Sequence, residues 1–319
     1  MAKMTISGLK TFTQTYVDKA KQAGAWVASA DNLLGLQNKV GMQITLDGSF
    51  QDKLPELDGN DLPLGKTIEE YFIDLQLPSD YDETGADTMA PAYPTVEDAS
   101  YCYTLGRKKI KTTEPYDNVE RAALTAEGAA NMISKIRERL ANSYSLYTYA
   151  QKKQLLGNFA DKACAVGGGL SQVVAIPSNT ETSEAVIKQV KNDVEAASFA
   201  SEGTSLSGAL IGAAPRLTLY IKKGIMPTIE VEALAGAFHA ENLALPADVK
   251  VVDDFGKAGT NNANVYAMLV DPRGVKLHRG YHRVRSQENA DGDFINFVDH
   301  NENTGFISKF TFVKCYKSE

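Results

Sequence analysis

Gly65, Lys66 and Thr67 are the residues whose order most suggests chemistry, because Gly-Lys-Thr is how a phosphate-binding P-loop ends. In the full pattern G-x-x-x-x-G-K-[ST], backbone N–H groups cradle the phosphates, the lysine reaches the outer ones and the hydroxyl holds magnesium. The spacing here refuses that chemistry. The first glycine would fall at position 60, which is Asn60, and Gly59 comes one residue too early. Pro63 has no N–H to point at a phosphate. Residues 51–60, where a buried strand should lead in, instead hold Asp52, Lys53, Pro55, Glu56 and Asp58. Lys66 therefore reads as a surface contact rather than a partner of ATP.

Other reactive residue types are equally unpromising. Gly167, Gly168 and Gly169 lack the G-x-G-x-x-G spacing of a dinucleotide site and follow a helical pattern instead of a strand, so they read as a hinge or loop. Cys102, Cys164 and Cys315 form no C-x-x-C pair, which leaves buried free thiols as the expectation. His239, His278, His282 and His300 are scattered. His278 and His282 sit four apart in a strand-like segment, on one face but roughly 13 Å from each other, too far to share a metal. There is no G-x-S-x-G and no H-E-x-x-H. The expectation is a protein without a cofactor or metal, not an enzyme; a catalyst of α/β type in 171–259 is the motif-free alternative.

The 319 residues are 43% hydrophobic, enough for a substantial core. Forty acidic against 33 basic side chains give a formal charge of −7, which opposes a tight grip on nucleic acid by the chain as a whole without forbidding the protein to surround it. Apolar runs fall far short of the roughly 20 residues a membrane helix needs, and residues 1–10 lack the apolar centre of a secretory signal, so no membrane partner is expected.

The elements that must position these residues follow in order. Residues 1–40 carry a short amphipathic pattern (Leu9, Phe12, Tyr16, Val17, Ala20) and read as an arm. In 70–77, Tyr71, Ile73, Leu75 and Leu77 alternate against Glu70, Asp74 and Gln76 beside Phe72, which predicts a strand. A second run from Tyr101 is its expected partner: Tyr103 and Leu105 share a face until Gly106, where a bulge passes that parity to Arg107, Lys109 and Lys111, with Lys108 and Ile110 opposite. The polar, proline-containing link between the runs carries Asp80, Asp82, Glu83 and Asp87 and makes a long hairpin, either solvated or docked on a complementary neighbour. Thr125 then caps a helix over 125–156, about 48 Å long and stopped by Gly157. Further on, the pattern predicts helices at 184–199 and 231–238 and strands at 216–221, 249–252 and 266–270. A final strand pair, 294–299 with 306–316, turns at 301–305.

This order resembles the Hong Kong 97-like major capsid proteins of tailed bacteriophages. It is most similar to those of small Bacillus podoviruses in the Pro-Leu-Gly-Lys-Thr-Ile-Glu-Glu of 63–70, the Gln-Leu-Pro-Ser-Asp-Tyr-Asp of 76–82, and the helix and two strands of 229–271 ending at Phe238, Phe255 and Asp271. The resemblance implies an α+β fold with an N-terminal arm (1–46), an extended loop (47–122), a peripheral domain with a long spine helix (123–165 and 285–319) and an axial domain (166–284). It implies a major capsid protein whose copies form hexamers and pentamers of an icosahedral shell. That shell would be assembled in the bacterial cytoplasm with scaffolding and portal proteins, around DNA held without sequence-specific binding. The immunoglobulin-like domain of some relatives has no counterpart within 319 residues. Subunit-contact candidates are Leu64, Lys66, Glu69, Glu70, Tyr71, Phe72 and Asp74 on the outgoing limb and Arg107, Lys108, Lys109 and Lys111 on the returning one. A non-viral compartment shell, or another phage structural protein such as a tail or connector subunit, is the alternative within the class.

Overall fold

The computed structural model describes residues 50–62, 67–73, 78, 91, 93–94, 96–101, 103–115, 126–200, 203–209, 211–214, 216–229, 247–257, 259–289 and 291–318. The arm at 1–46, the cap at Thr125 and the helix at 231–238 lie outside the described residues. In chain order the strands are β1 (Ile68–Ile73), β2 (Val96–Tyr101), β3 (Tyr103–Pro115), β4 (Ser171–Val173), β5 (Thr218–Lys222), β6 (Asp248–Val252), β7 (Val265–Val270), β8 (Val275–Asn289), β9 (Phe294–Ile307) and β10 (Val313–Lys317). The long helices are α1 (Ala126–Val166) and α2 (Thr180–Ala197).

The 41 residues of α1 span about 60 Å, longer than the sequence predicts, because Gly157 does not stop the helix. Gly157 lies inside α1 where another segment presses close: a Cβ there would land on the carbonyl oxygen of Phe255, and Asn262 Nδ2 donates to the Gly157 carbonyl at 2.7 Å. The stop comes at Gly167 and Gly168, whose φ of 69° and 56° only glycine adopts freely.

The second half of α1 buries Leu155, Leu156, Phe159, Ala160 and Ala163, a stripe at helical spacing, against one face of a five-stranded sheet of order β4-β10-β7-β5-β6. Alternation sorts the strands away from the register shift at Tyr266: Tyr220, Met268 and Cys315 face α1, while Leu219, Ile221, Leu269 and Tyr316 face Val186, Ile187 and Val190 of α2. Each such large side chain contributes roughly 2 kcal/mol on burial. Helix α2 begins four residues before the expected 184, because Asn179 and Thr182 form a reciprocal capping box. Inside this layer Tyr316 donates to Asp193 of α2 at 2.7 Å, and burial followed by that carboxylate pushes the phenol far up. Of the expected thiols, Cys315 is buried and Cys164 half-buried, both free.

The first half of α1 covers a second, three-stranded antiparallel sheet of order β3-β9-β8. This overturns two expectations. The returning run does not stay with the outgoing one: β1 pairs with β2, from Ile68 opposite Tyr101 to Ile73 opposite Val96, and one residue later β3 has crossed to pair with β9. The bulge is where the parity shift placed it, with register slipping between Thr104 and Arg107 and Gly106 at φ 81°. Nor do 294–299 and 306–316 form a hairpin. Residues 301–305 continue β9, and β10 departs to the five-stranded sheet. The turn-like residues are instead buried polar side chains: Asn303 donates to Gln151 of α1 at 2.6 Å, and Glu302 accepts from Arg107 at 3.1 Å. A register slip between Arg279 and Tyr281 also separates the two histidines onto opposite faces, His278 beside the Asn60 carbonyl and His282 beside Asp299.

Residues 50–62 strap the sheet to α1. Leu54 and Leu57 are wholly buried, Gly59 and Leu62 donate to carbonyls of β8, and a Cβ on Gly59 would enter the His278 ring. Beneath the strap lies Lys152 of α1, fully buried, its ammonium bonded to Asp52, to Asp58 at 2.7 Å and to the Leu54 carbonyl at 2.9 Å.

Candidate assembly surface

The two-stranded ribbon β1–β2 presents two faces of opposite character, set by strand alternation. Inward, Phe72 stacks on Phe310 with ring centres 4.9 Å apart. Glu70 accepts from Tyr101 at 2.8 Å and from Ser308 at 2.6 Å, while Tyr101 packs edge-on to Phe306 and accepts from the Lys309 amide. Burial and then the Glu70 hydrogen bond push the Tyr101 phenol well above its ordinary value. These bonds hold the ribbon on the end of β9 and the loop that follows it.

Outward lie the rows Glu69–Ser100, Tyr71–Asp98 and Ile73–Val96. Tyr71 is 67% exposed and Ile73 62%, with Val96 and nearby Tyr93 also exposed. Tyr71 donates to Glu69 at 3.0 Å, and that carboxylate raises its phenol. Tyrosine and aliphatic side chains held open on a rigid ribbon, rimmed by Glu69 and Asp98, have the make-up of an interface waiting for its other half.

The sequence-derived candidates therefore separate into groups. Leu64, Lys66 and Asp74 lie outside the described residues. Glu69 and Tyr71 point outward, whereas Glu70 and Phe72 are engaged within the subunit. Arg107 pairs with Glu302 and covers the Tyr281 ring at 4.8 Å, and Lys108, Lys109 and Lys111 are exposed along β3. The residues the sequence reading passed over are Val96, which pairs with Ile73, and Arg283 and Arg285 of β8, which flank Val284 in the same two-residue alternation that marked Lys109 and Lys111. Among the described residues no group of three or more His, Cys, Asp or Glu side chains is placed to hold a metal, and no helix is long and apolar enough to cross a membrane.

One long helix shared by two sheets, with a ribbon set on the second sheet, is the fold of a phage capsid subunit. The capsid structure of Staphylococcus phage Andhra matches it with a TM-score of 0.65 at 12% identity, covering 86% of both chains. The capsid of an empty GTA particle matches at 0.59 and 11% identity, covering 92% of this chain and 99% of that one. Residues 28–313 match the Phi29-like phage major capsid protein family, and the chain belongs to it. The major capsid protein of Bacillus phage PZA is 23% identical over 292 residues, covering 88% of this chain and 61% of the relative, so the chain spans about three-fifths of that protein's length.

Proposed function

We propose that copies of this chain close into the icosahedral shell of a tailed phage, as hexamers and pentamers, around double-stranded DNA, and that the outward face of the β1–β2 ribbon is one of the contacts between copies. Family membership over 28–313 carries the reading. The apolar outward face supports its second part, because a subunit meeting several neighbours gains more from a projecting contact repeated many times than from one deep pocket. The same reading makes the chain structural rather than catalytic, with a scaffolding protein and a portal as its further partners.

The Hong Kong 97-like division is part of this proposal: arm 1–46, extended loop 47–122, peripheral domain 123–165 with 285–319, axial domain 166–284. The sheet on the first half of α1 joins β3 and β8 to the peripheral block across its bounds, and the hydrogen bonding of β10 to β7 adds 313–317 to the axial one. The burial of Leu54 and Leu57 argues that any projection begins after residue 62.

Expressed with a scaffolding partner, the chain will give closed shells in electron micrographs; a stable monomer as the sole product under those conditions excludes the reading. Tyr71→Glu combined with Ile73→Glu will abolish shells while the helical circular dichroism and melting temperature stay near wild type, since both side chains are already in water. Normal shells from that double variant would remove the ribbon face from the contact.

A further inference from the structure

The outer face of the β3-β9-β8 sheet, turned away from α1, carries a large excess of positive charge. Three paired rows define it: Arg107–Glu302–Tyr281, Lys109–His300–Arg283 and Lys111–Val298–Arg285. The Arg107 contacts to Glu302 and to the Tyr281 ring show that these side chains share a face, and the Asn303–Gln151 bond identifies the opposite face as the one against α1. Five cations thus stand against one carboxylate, and Glu302 is taken by Arg107. Among the described residues, Lys109, Lys111, Arg283 and Arg285 have no carboxylate within ion-pair distance, and all four are exposed. Strand geometry sets them at the corners of a rectangle of roughly 7 by 10 Å.

A chain of formal charge −7 that gathers its cations this way has built a positive field on one flat surface. The face is a poor core for a protein contact, where charge is depleted and an apolar or aromatic anchor fills a pocket. Its aromatic, Tyr281, lies under Arg107, and its one aliphatic side chain, Val298, is half-buried between Lys111 and Arg285. The ribbon face β1–β2 has the opposite composition.

We infer that the outer face of the β3-β9-β8 sheet binds the phosphodiester backbone of duplex nucleic acid without reading its sequence, so that the cations of β3 serve this contact and not one between subunits. The identity of the polyanion rests on the reading of the chain as a DNA-enclosing shell subunit; the charged face itself does not. Four released counterions give a log–log salt slope of about −3.6, so affinity falls about 100-fold between 50 and 200 mM salt. One subunit binds weakly, and a shell binds through many copies at once without immobilising the genome.

The test is fluorescence anisotropy of a labelled 30-base-pair duplex titrated with the purified full-length chain across that salt range. The comparison is the variant Lys109→Gln, Lys111→Gln, Arg283→Gln, Arg285→Gln, with folding checked by circular dichroism. The expected result is salt-dependent binding by the wild type, equal for unrelated sequences, and at least a tenfold loss with a flattened slope in a folded variant. Absence of wild-type binding at 50 mM salt, or an unchanged slope in the variant, overturns the inference. So does a variant that keeps DNA binding but loses shells in micrographs, which would make this face a contact between copies. Wild-type binding with failure to form shells would instead count against the capsid reading and leave the face as a polyanion site.

Discussion

Asp52→Ala will destabilise the protein more than Lys152→Met, although Lys152 is the more deeply buried partner. Lys152 is wholly enclosed, with Asp52 mostly covered and the Asp58 side chain 60% exposed. Removing the Asp52 carboxylate leaves an ammonium inside the protein with a half-solvated carboxylate and the Leu54 carbonyl as its partners, and it also removes the Asp52 bond to the Leu54 amide. Stripping one partner from a buried ion pair costs about 4 kcal/mol. Methionine at 152 keeps the packing of the stem and removes the buried charge; Asp58 turns to water, Asp52 keeps the Leu54 amide as a donor, and the main loss is hydrogen bonding to the Leu54 carbonyl and to Asp52, about 2 kcal/mol. For a chain of this size those costs lower the melting temperature by roughly 7 and 4 °C, respectively. Thermal unfolding of the two variants side by side tests the order; equal losses, or a larger loss for Lys152→Met, would show that the site is held by the lysine stem rather than by its charge.

Gly157→Ala runs against helix propensity. In the interior of α1 alanine is favoured over glycine by about 1 kcal/mol, so a free helix would gain. Here the added Cβ falls on the Phe255 carbonyl, which is backbone and has no rotamer to escape into. Inserting a carbon into so tight a contact costs about 3 kcal/mol, at the upper end of overpacking, so the net change is a loss of about 2 kcal/mol. The disturbance will also reach the loop 253–262, held on α1 by Asn262 to the Gly157 carbonyl, Lys257 N–H to Gln154, and Asn261 N–H to Asp161. Faster proteolysis within 253–262 together with a lower melting point is the expected signature. A rise in melting temperature would mean that the helix and the loop do not touch as described.

Gly157 also shows where a single sequence stops being legible. Local signals were sound wherever the local partner decided the outcome. The alternation read over 70–77 became β1 as far as the described residues reach, the parity shift at Gly106 became a bulge, and the apolar runs at 249–252 and 266–270 became strands. They misled where a distant segment set the meaning of a residue. Gly157 is small for the sake of Phe255, about a hundred positions away, and within the turn-like 301–305 Asn303 is polar because β9 lies under a helix that offers Gln151, and Glu302 because β3 offers Arg107 on the opposite face. The ribbon is the most instructive case. Tyr71 and Ile73 form the apolar side of β1, yet the structure turns them out and half-buries Glu70 and Phe72. Glu70 faces inward because Tyr101 and Ser308, far along the chain, supply donors to it. The basic face was half legible: Lys109 and Lys111 stood out, but only the pairing of β3 and β8 on either side of β9 brings Arg283 and Arg285 beside them.

The places of β9 and β10 set a schedule for synthesis. β9 is the middle strand of one sheet, and β10 lies between β4 and β7 in the other. Until residues 294–317 leave the ribosome, β3 and β8 have nothing between them and β4 has no neighbour, so a nascent chain can form α1, α2 and the β7-β5-β6 part of one sheet but not the sheet that carries the ribbon. A fragment released before residue 294 therefore has no platform on which to seat β1–β2. If the ribbon is the contact proposed between copies, translation itself acts as a gate, because prematurely ended copies cannot present it.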